Sequence, residues 1–547
     1  MKRLGFAAVI ACLLMTFALP ASAQKDKFNT GKDLEIQYNI LRALNAQYVD
    51  TVSVDTLVLN GMNAMLASLD PYTMFFSEDH GDDLDMMTTN TYGGVGAQIK
   101  KTETGEIEIT QPYSGSPAEK YNLNPGDKIL TIDGKSTKDM TATEASNLMR
   151  GKAGTILKMD VKKIRSGNIE KVKLIRERVH VSDVMYSGII RDSIGYIRYT
   201  TFTQGGADEF RKALSDLQAN SDLKGLVIDL RSNGGGLMSE AIDLLSTFLP
   251  SGTMVVSSKG KDPIMNKSYK TTNEPIAPLL PLLVMVDNGT ASSSEIVTGA
   301  LQDLDRATVA GMGTFGKGLI QSIRPVGYNT SIKLTTGRYY TPSGRCVQAI
   351  DYSHRNEDGS VGNIPDSLRN EFKTVSGRIV KDGGGITPDF IVEPDYYTRP
   401  LASLVYNDIP NEYAIKYFSE HDSIPSVADF SLSDEEYDDF VNFAKEKKFD
   451  QSSEAYLGLK EIIKVAKKEG TYENNAAMMD SLLTKLACDK EVFLKNEKKA
   501  IVEILERSIC NKYYFVQGGA EKSLKYDEQL HKALDKWNPT TPVSELK

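Results

Sequence analysis

Leu226-Val227-Ile228-Asp229-Leu230-Arg231 runs directly into Ser232-Asn233-Gly234-Gly235-Gly236, and Leu237 then opens a helical pattern. A short apolar run that stops at a glycine turn reads as a strand buried on both faces. The same grammar recurs downstream, where Leu279 to Val286 breaks at Asp287-Asn288-Gly289 and leads into a helix from about Ser292. Upstream, Ser193 to Tyr199 reads as a strand and Ala207 to Leu217 as a helix. Strands alternating with helices predict a mainly parallel sheet over 181–400. Sites in such sheets form beyond the carboxyl ends of the strands, where both glycine-containing turns fall.

Residues 77–180 have a different character. Tyr92-Gly93-Gly94-Val95-Gly96-Ala97-Gln98-Ile99 is a glycine turn entering a strand. Ser116-Pro117-Ala118-Glu119 follows, then Asn124-Pro125-Gly126-Asp127-Lys128-Ile129-Leu130-Thr131-Ile132-Asp133-Gly134. Thr141-Ala142-Thr143-Glu144 is a capping box that opens a short helix through Met149. Taken alone, the glycine turn fits a plain hairpin equally well; the ordered series resembles a PDZ domain, expected over 85–178. The backbone N–H groups of Gly94, Val95 and Gly96 are then free to converge on a terminal carboxylate. The strand edge through Ala97 can add a peptide as an extra strand. The helix around Ala145, Leu148 and Met149 would wall the groove.

The flanks read as helical. Leu34, Ile40, Leu41 and Leu44 recur at helical spacing within 31–76, as does the run from Leu57 to Leu69, which Asp70-Pro71 stops. This unit reads as packing, a dimerisation arm or a cover. Residues 401–547 are rich in Lys and Glu, with apolar sets such as Leu457, Leu459, Ile462, Ile463 and Ala466, and read as a helical bundle without chemistry of its own. At 547 residues the chain is too long for one core and should divide into about three or four units.

Net charge is −9, from 64 basic and 73 acidic side chains, which argues against nucleic acid as a partner. Lys2 and Arg3, the apolar run Leu4–Leu19 and Ala21-Ser22-Ala23 form a secretory signal over 1–23, so the expected location is the periplasm or cell envelope. An uncleaved anchor, or lipidation at Cys12 after Val9-Ile10-Ala11, are the alternatives. No later stretch is long and apolar enough to span a bilayer. Cys346, Cys488 and Cys510 have no metal or disulfide-framework spacing, although Cys488 and Cys510 could pair. The five histidines are scattered, so no metal site and no cofactor is expected.

The chemistry concentrates in Thr290-Ala291-Ser292-Ser293-Ser294-Glu295-Ile296 and, downstream, in Gly316-Lys317-Gly318-Leu319-Ile320-Gln321. With DLRSNGGG at 229–236, YYTPSGRCVQ at 339–348 and GGITPD at 384–389, these stretches resemble the C-terminal processing peptidases, or tail-specific proteases, of serine peptidase family S41. The resemblance covers roughly residues 30–395 and implies a ClpP/crotonase-like α/β core with an inserted, β-rich PDZ domain and helical N- and C-terminal regions, drawn here at 24–80 and 401–547. In that family the nucleophile lies three residues before a glutamate and twenty-five before a lysine. Ser292 meets both spacings, to Glu295 and Lys317; Ser294 meets neither.

A serine hydroxyl needs a base within reach, and a strand-to-helix turn surrounds it with amides that favour negative charge. The N–H of Ser293 and the backbone of Gly235 and Gly236 are the expected oxyanion donors. Lys317 is the expected base. A solvated lysine is protonated at neutral pH, so burial among Phe315, Leu319 and Ile320 would have to lower its pKa. If the stretch is helical, Gln321 shares a face with Lys317 and orients the amine; the resemblance implies that role too. Asp303 is given a structural role, Glu295 is assigned to the helix dipole, and Arg231 and Arg345 are candidates to line the cleft without a chemical step.

The function implied is that of an exported serine endopeptidase that grips protein tails in the PDZ groove and cleaves through an acyl-enzyme. Its partners would be proteins or peptides with accessible C-termini; a homo-oligomer and an adaptor lipoprotein stay open. Two other classes compete: a PDZ scaffold with an inactive peptidase core, against which the intact Ser292, Lys317 and Gln321 argue, and a crotonase-like acyl-CoA enzyme, which has little use for a signal peptide or a PDZ unit.

Overall fold

The computed structural model describes residues 21–78, 86–487, 489–541 and 543–545, with the side chains of 21–29 and 192 left aside. The secretory signal as far as residue 20, Cys12 and Cys488 lie outside the described residues. The chain divides into two compact units. One holds the N-terminal segment to Ser77 with Gln321–Thr335; the other holds Glu78–Ile320 and Thr336–Lys547.

In the smaller unit, helices run over Ala21–Gln47 and Val54–Ala67, the second capped by the Ser53 hydroxyl. The helical expectation for 31–76 fails at its end. Met74–Phe76 is a strand, antiparallel to residues 331–333. Asp70 ends the helical run differently from a simple stop: its Oδ1 accepts the N–H groups of Tyr72 and Thr73, both at 2.8 Å. Leu34 and Ile40, expected on a packed face, are exposed.

The larger unit contains the α/β core. Six strands lie in the order Val184–Ile190, Ile194–Tyr199, Gly225–Asp229, Leu282–Val286, Thr308–Gly311, Phe390–Ile391. The first pair is antiparallel and the rest are parallel. Side chains alternate along a strand, so each face needs its own cover. Leu226, Ile228, Val284 and Val286 pack with Leu214, Leu244 and Val297 from helices Gly206–Asn220, Met238–Leu245 and Ser293–Asp303. Val227, Leu283 and Met285 face the other way, onto Leu530, Ala533 and Trp537. The last segment of the chain therefore completes the core sheet. Gly225 marks the close approach: a Cβ there would lie 2.5 Å from the Trp537 ring.

The PDZ-like sheet is antiparallel, in the order Ala97–Lys101, Ile107–Pro112, Lys128–Ile132, Ile156–Lys162, Ile169–Ile175. Its core gathers Ile107, Ile109, Ile129, Leu157 and Leu174. The Ala97–Lys101 strand ends the order, so its outer edge has no strand partner among the described residues. Residues 399–524 form a third apolar cluster of helices, including Ile409–Glu420, Asp434–Lys445 and Lys498–Leu524. Here Cys510 is a buried free thiol. No helix of the described residues is long and apolar enough to cross a membrane, and they contain no cluster of metal-ligating side chains.

Candidate active site

The Leu282–Val286 strand ends in a turn built by Asp287. Its Oδ1 accepts the N–H of Gly289 at 2.9 Å and, from the neighbouring strand end, that of Ser232 at 2.7 Å. Thr290 ties the two strand ends together by donating its hydroxyl to Leu230 O at 2.9 Å. The chain then enters helix Ser293–Asp303 through Ser292, whose φ of 58° and ψ of −117° are unusual for a residue with a side chain. Such strain persists only where surroundings over-determine it, and a sharp strand-to-helix turn is how a serine hydroxyl is presented.

The three adjacent serines separate cleanly. Ser294 is buried and donates its hydroxyl to Asn233 O at 3.0 Å. Ser293 is buried and donates to Gly236 O at 2.9 Å. Ser292 alone remains half-exposed.

Gly235 is pressed against this turn. A Cβ on it would stand 2.7 Å from Ser292 Cβ and 2.8 Å from Ser293 N, and its φ of +93° suits glycine. Its own N–H, expected as an oxyanion donor, goes instead to Asn233 Oδ1 at 2.9 Å. Asn233 is a residue the sequence reading missed. Fully buried, it also donates to Tyr199 O at 2.8 Å and accepts the Ala291 N–H at 2.9 Å.

Glu295 was assigned to the helix dipole, and the structure gives it a larger part. Its carboxylate is wholly buried. Oε2 accepts the N–H of Ser292 at 2.8 Å and that of Lys317 at 2.9 Å. Oε1 accepts the Gly316 N–H at 2.7 Å and the Thr314 hydroxyl at 2.6 Å. One side chain thus clamps the serine turn to the lysine loop. Burial pushes its carboxyl above the usual carboxylate range, against the four donors that favour the ionised form. The spacing Ser-x-x-Glu signals a capping box; that the same oxygens reach residues 314–317 has no local signal.

The lysine loop is fixed on both sides. Gly316 accepts the Ala349 N–H at 2.9 Å, and Gly318 donates to Gln348 Oε1 at 2.8 Å. A Cβ on Gly316 would lie 2.4 Å from that of Ala349. Lys317 between them is half-buried. Of its expected apolar neighbours, Leu319 is buried, but Phe315 is 42% exposed and cannot desolvate the loop as assumed. Tyr339 spans both parts: its hydroxyl donates to Ser292 O at 3.1 Å and its N–H to Gly318 O at 3.0 Å.

The helix expected to align Gln321 with Lys317 does not form. Gln321 lies on the strand Leu319–Gly327 and donates to Thr335 Oγ1 at 3.2 Å. The hairpin Gly327-Tyr328-Asn329-Thr330 dictates this, with φ of 48° and 54° at its two central residues. Arg345 is no cleft residue either. It is buried and paired with Asp303 at 2.8 Å, the structural role expected for that aspartate.

The PDZ-like unit carries a groove of about 690 Å³ between the Ala97–Lys101 edge and helix Ala142–Met149. Val95 and Ala97 line it, facing Ser146, Asn147 and Met149. Leu148, expected in the wall, packs against the unit's own core. Gly94 and Gly96 lie in the turn at its end, where Gly96 O accepts from Tyr113 N–H at 2.8 Å and Ser116 Oγ at 2.9 Å.

Residues 193–353 match the family model described as peptidase family S41, and 83–162 that of the PDZ domain. A carboxy-terminal-processing protease of Bartonella bacilliformis is 35% identical over 325 residues, covering 59% of this chain and 74% of that protein. The chain belongs to peptidase family S41. This S41 member is accordingly a serine-type peptidase. It is also similar to the carboxy-terminal processing protease CtpA of Bacillus subtilis, 33% identical over 310 residues, or 56% of this chain and 64% of that one. Among solved structures, a photosystem II D1 C-terminal processing protease is 28% identical, covers 57% of this chain and 89% of its own, and superposes with a TM-score of 0.32. Residues 401–536 match a model described as a probable PDZ-protease, C-terminal helical domain.

Proposed function

We propose that this S41 peptidase is an exported endopeptidase in which Ser292 is the nucleophile and Lys317 the general base, with protein tails held in the PDZ groove. The observation that carries this reading is the Glu295 carboxylate, which accepts the backbone N–H of both residues through one oxygen. That arrangement ties together two loops far apart in sequence, which supports a shared role for them. The hydroxyls of Ser293 and Ser294 are committed elsewhere, which supports Ser292 as the attacking group.

In the proposed reaction the neutral Lys317 amine takes the Ser292 hydroxyl proton as Oγ attacks the scissile carbonyl. The N–H of Ser293, first in its helix, faces the developing oxyanion. Gly236 is the remaining candidate for a second donor, and Gly235 serves by leaving room. Lys317 then passes the proton to the departing amine; in the second half water, deprotonated by Lys317, attacks the acyl carbonyl, and Lys317 returns that proton to the departing Ser292 Oγ. The family resemblance implies that Gln321 orients the Lys317 amine, and Gln321 lies on a strand, not on a helix. Export rests on the signal-like first 23 residues.

The test is cleavage of an unstructured protein with an apolar tail by the mature chain and by Ser292→Ala, Lys317→Ala and Ser294→Ala. Loss on the order of 10⁴-fold or more is expected for the first two, with hydrolysis retained by Ser294→Ala. Hydrolysis surviving in Ser292→Ala would sink the assignment.

A further inference from the structure

A second cavity, of about 440 Å³, opens at the carboxyl ends of the core strands, at Arg231, Ser232 and Asp287. Its opposite wall is the helix Lys498–Leu524. The size is that of small-ligand sites.

The charges on the strand side are mutually satisfied. Buried Asp229 takes Tyr196 at 2.6 Å, Arg198 at 2.9 Å and Arg231 at 2.6 Å. Burial alone would raise its carboxyl; the Arg231 and Arg198 guanidiniums outweigh that and hold it well below the usual range. Arg231 is further fixed by Asp527 at 2.5 Å, and Asp287 is committed to the turn already described.

The helix side differs. Arg507 and Asn511 are four residues apart, so they share a helical face, and both line the cavity. Neither side chain makes a hydrogen bond or ion pair among the described residues, and Glu503, one turn before Arg507, forms none with it. Beyond Asn511 the helix breaks: Phe515 has φ 56° and ψ −166°, a region normally reserved for glycine. The break folds the chain back so that Gly519 packs on Asn511, where a Cβ would fall 1.9 Å from its Oδ1. Close packing against Gly519 holds the Asn511 carboxamide at the cavity, one turn from the Arg507 guanidinium, and neither has a hydrogen-bond partner among the described residues. That donor set suits a carboxylate.

The cavity adjoins the catalytic turn. Ser232 lies on Asp287, and a Cβ on Gly289 would stand 3.0 Å from Ser232 Cα. We propose that this cavity is a carboxylate subsite of the peptidase, in which Arg507 grips a carboxylate of the peptide lying across the Ser292 turn. The inference rests on the serine-peptidase reading. The carboxylate belongs either to an acidic side chain or to the C-terminus released by cleavage.

The experiment is modification of Arg507 by phenylglyoxal, read by peptide mass mapping, in the full-length Ser292→Ala chain so that bound peptides persist. One pair of probes is an N-acetylated, C-amidated dodecapeptide with central Glu and its Gln twin. The other is a free-acid peptide and its amide. At ten times its dissociation constant, the carboxylate member of at least one pair should slow Arg507 modification by about tenfold relative to its neutral twin. Protection by the Glu peptide identifies a side chain; protection by the free acid identifies the product end. Equal rates within both pairs would overturn the subsite. So would an Arg507 that is unreactive without peptide and becomes reactive in Glu503→Gln, since the protein itself would then occupy it. The readout needs no hydrolysis, so a failed peptidase reading would appear in the cleavage assay and not here.

Discussion

The Ser292 turn and the PDZ groove belong to one compact unit and are built on opposite principles. At the turn almost every polar group is committed: Glu295 takes four donors, and the hydroxyls of Ser293 and Ser294 go to backbone carbonyls. In the groove a strand edge and one face of a short helix stand apart, leaving about 690 Å³. The first is pre-organised for one geometry; the second keeps unpaired backbone groups for a partner to supply. Changes at the turn should therefore affect the chemical step, and changes at the groove should affect affinity.

Glu295→Gln tests that contrast most severely. The amide cannot accept at both ends: with its NH2 in place of Oε1 the Gly316 N–H loses its acceptor, and in place of Oε2 the N–H groups of Ser292 and Lys317 do, costing about 1–3 kcal/mol for each group left unsatisfied. Either placement weakens the clamp between the serine turn and the lysine loop, and a misplacement of about 1 Å costs on the order of 10²-fold in rate. The expected result is a fall in kcat of about that size with KM for short peptides little changed. A variant with wild-type kcat would show that the clamp is only structural.

Asn147→Trp fills the groove from its exposed helical face. The expected outcome is a KM raised about tenfold, or ~1.4 kcal/mol, for substrates with a free apolar tail, and unchanged hydrolysis of short amidated peptides. If both substrate classes suffer alike, the groove does not select tails.

The smallest effect concerns how the groove-bearing unit is held. Lys512 is buried and donates to Thr110 O, on a strand that lines the groove, at 2.9 Å. Nearby Lys100 pairs with Asp408 at 2.5 Å. Burial lowers the Lys512 pKa to about 8, against attraction from Asp408 and Glu108 and with repulsion from Lys100. Unfolded, this lysine keeps its proton to about 10.5, so between the two values the unfolded state binds more protons and stability rises with pH. Its whole contribution is at most about 3 kcal/mol. The melting temperature of the wild type minus that of Lys512→Met should increase from pH 7 to pH 9.5. A flat difference would mean that the lysine remains charged.

Much of this was legible in advance for definable reasons. Leu226–Leu230 and the run to Val286 announce buried strands because a parallel sheet covered on both faces requires continuous apolar runs, although the second begins only at Leu282 and Leu279 is exposed in the turn before it. Thr141-Ala142-Thr143-Glu144 announces a helix start, and both bonds of the box are present, at 2.7 and 3.2 Å. Gln321 was misjudged because the turn at Tyr328-Asn329, seven residues on, sets the conformation of the strand that carries it. Leu148 was misjudged because helical spacing does not say which neighbouring face a side chain meets.

The sequence by itself determined the serine turn, the lysine loop, their order and the strand and helix on either side of the serine turn, since these follow from local apolar runs, glycine turns and caps. The tertiary structure alone decided that one buried carboxylate joins residues 292 and 317, that the Asn233 amide donates to Tyr199 O, and that the last helix covers the second face of the core sheet. The physical reason is range. Caps and periodicity act within a few residues, whereas a buried polar group must find whatever donor the packed chain brings to it, at any distance along the sequence.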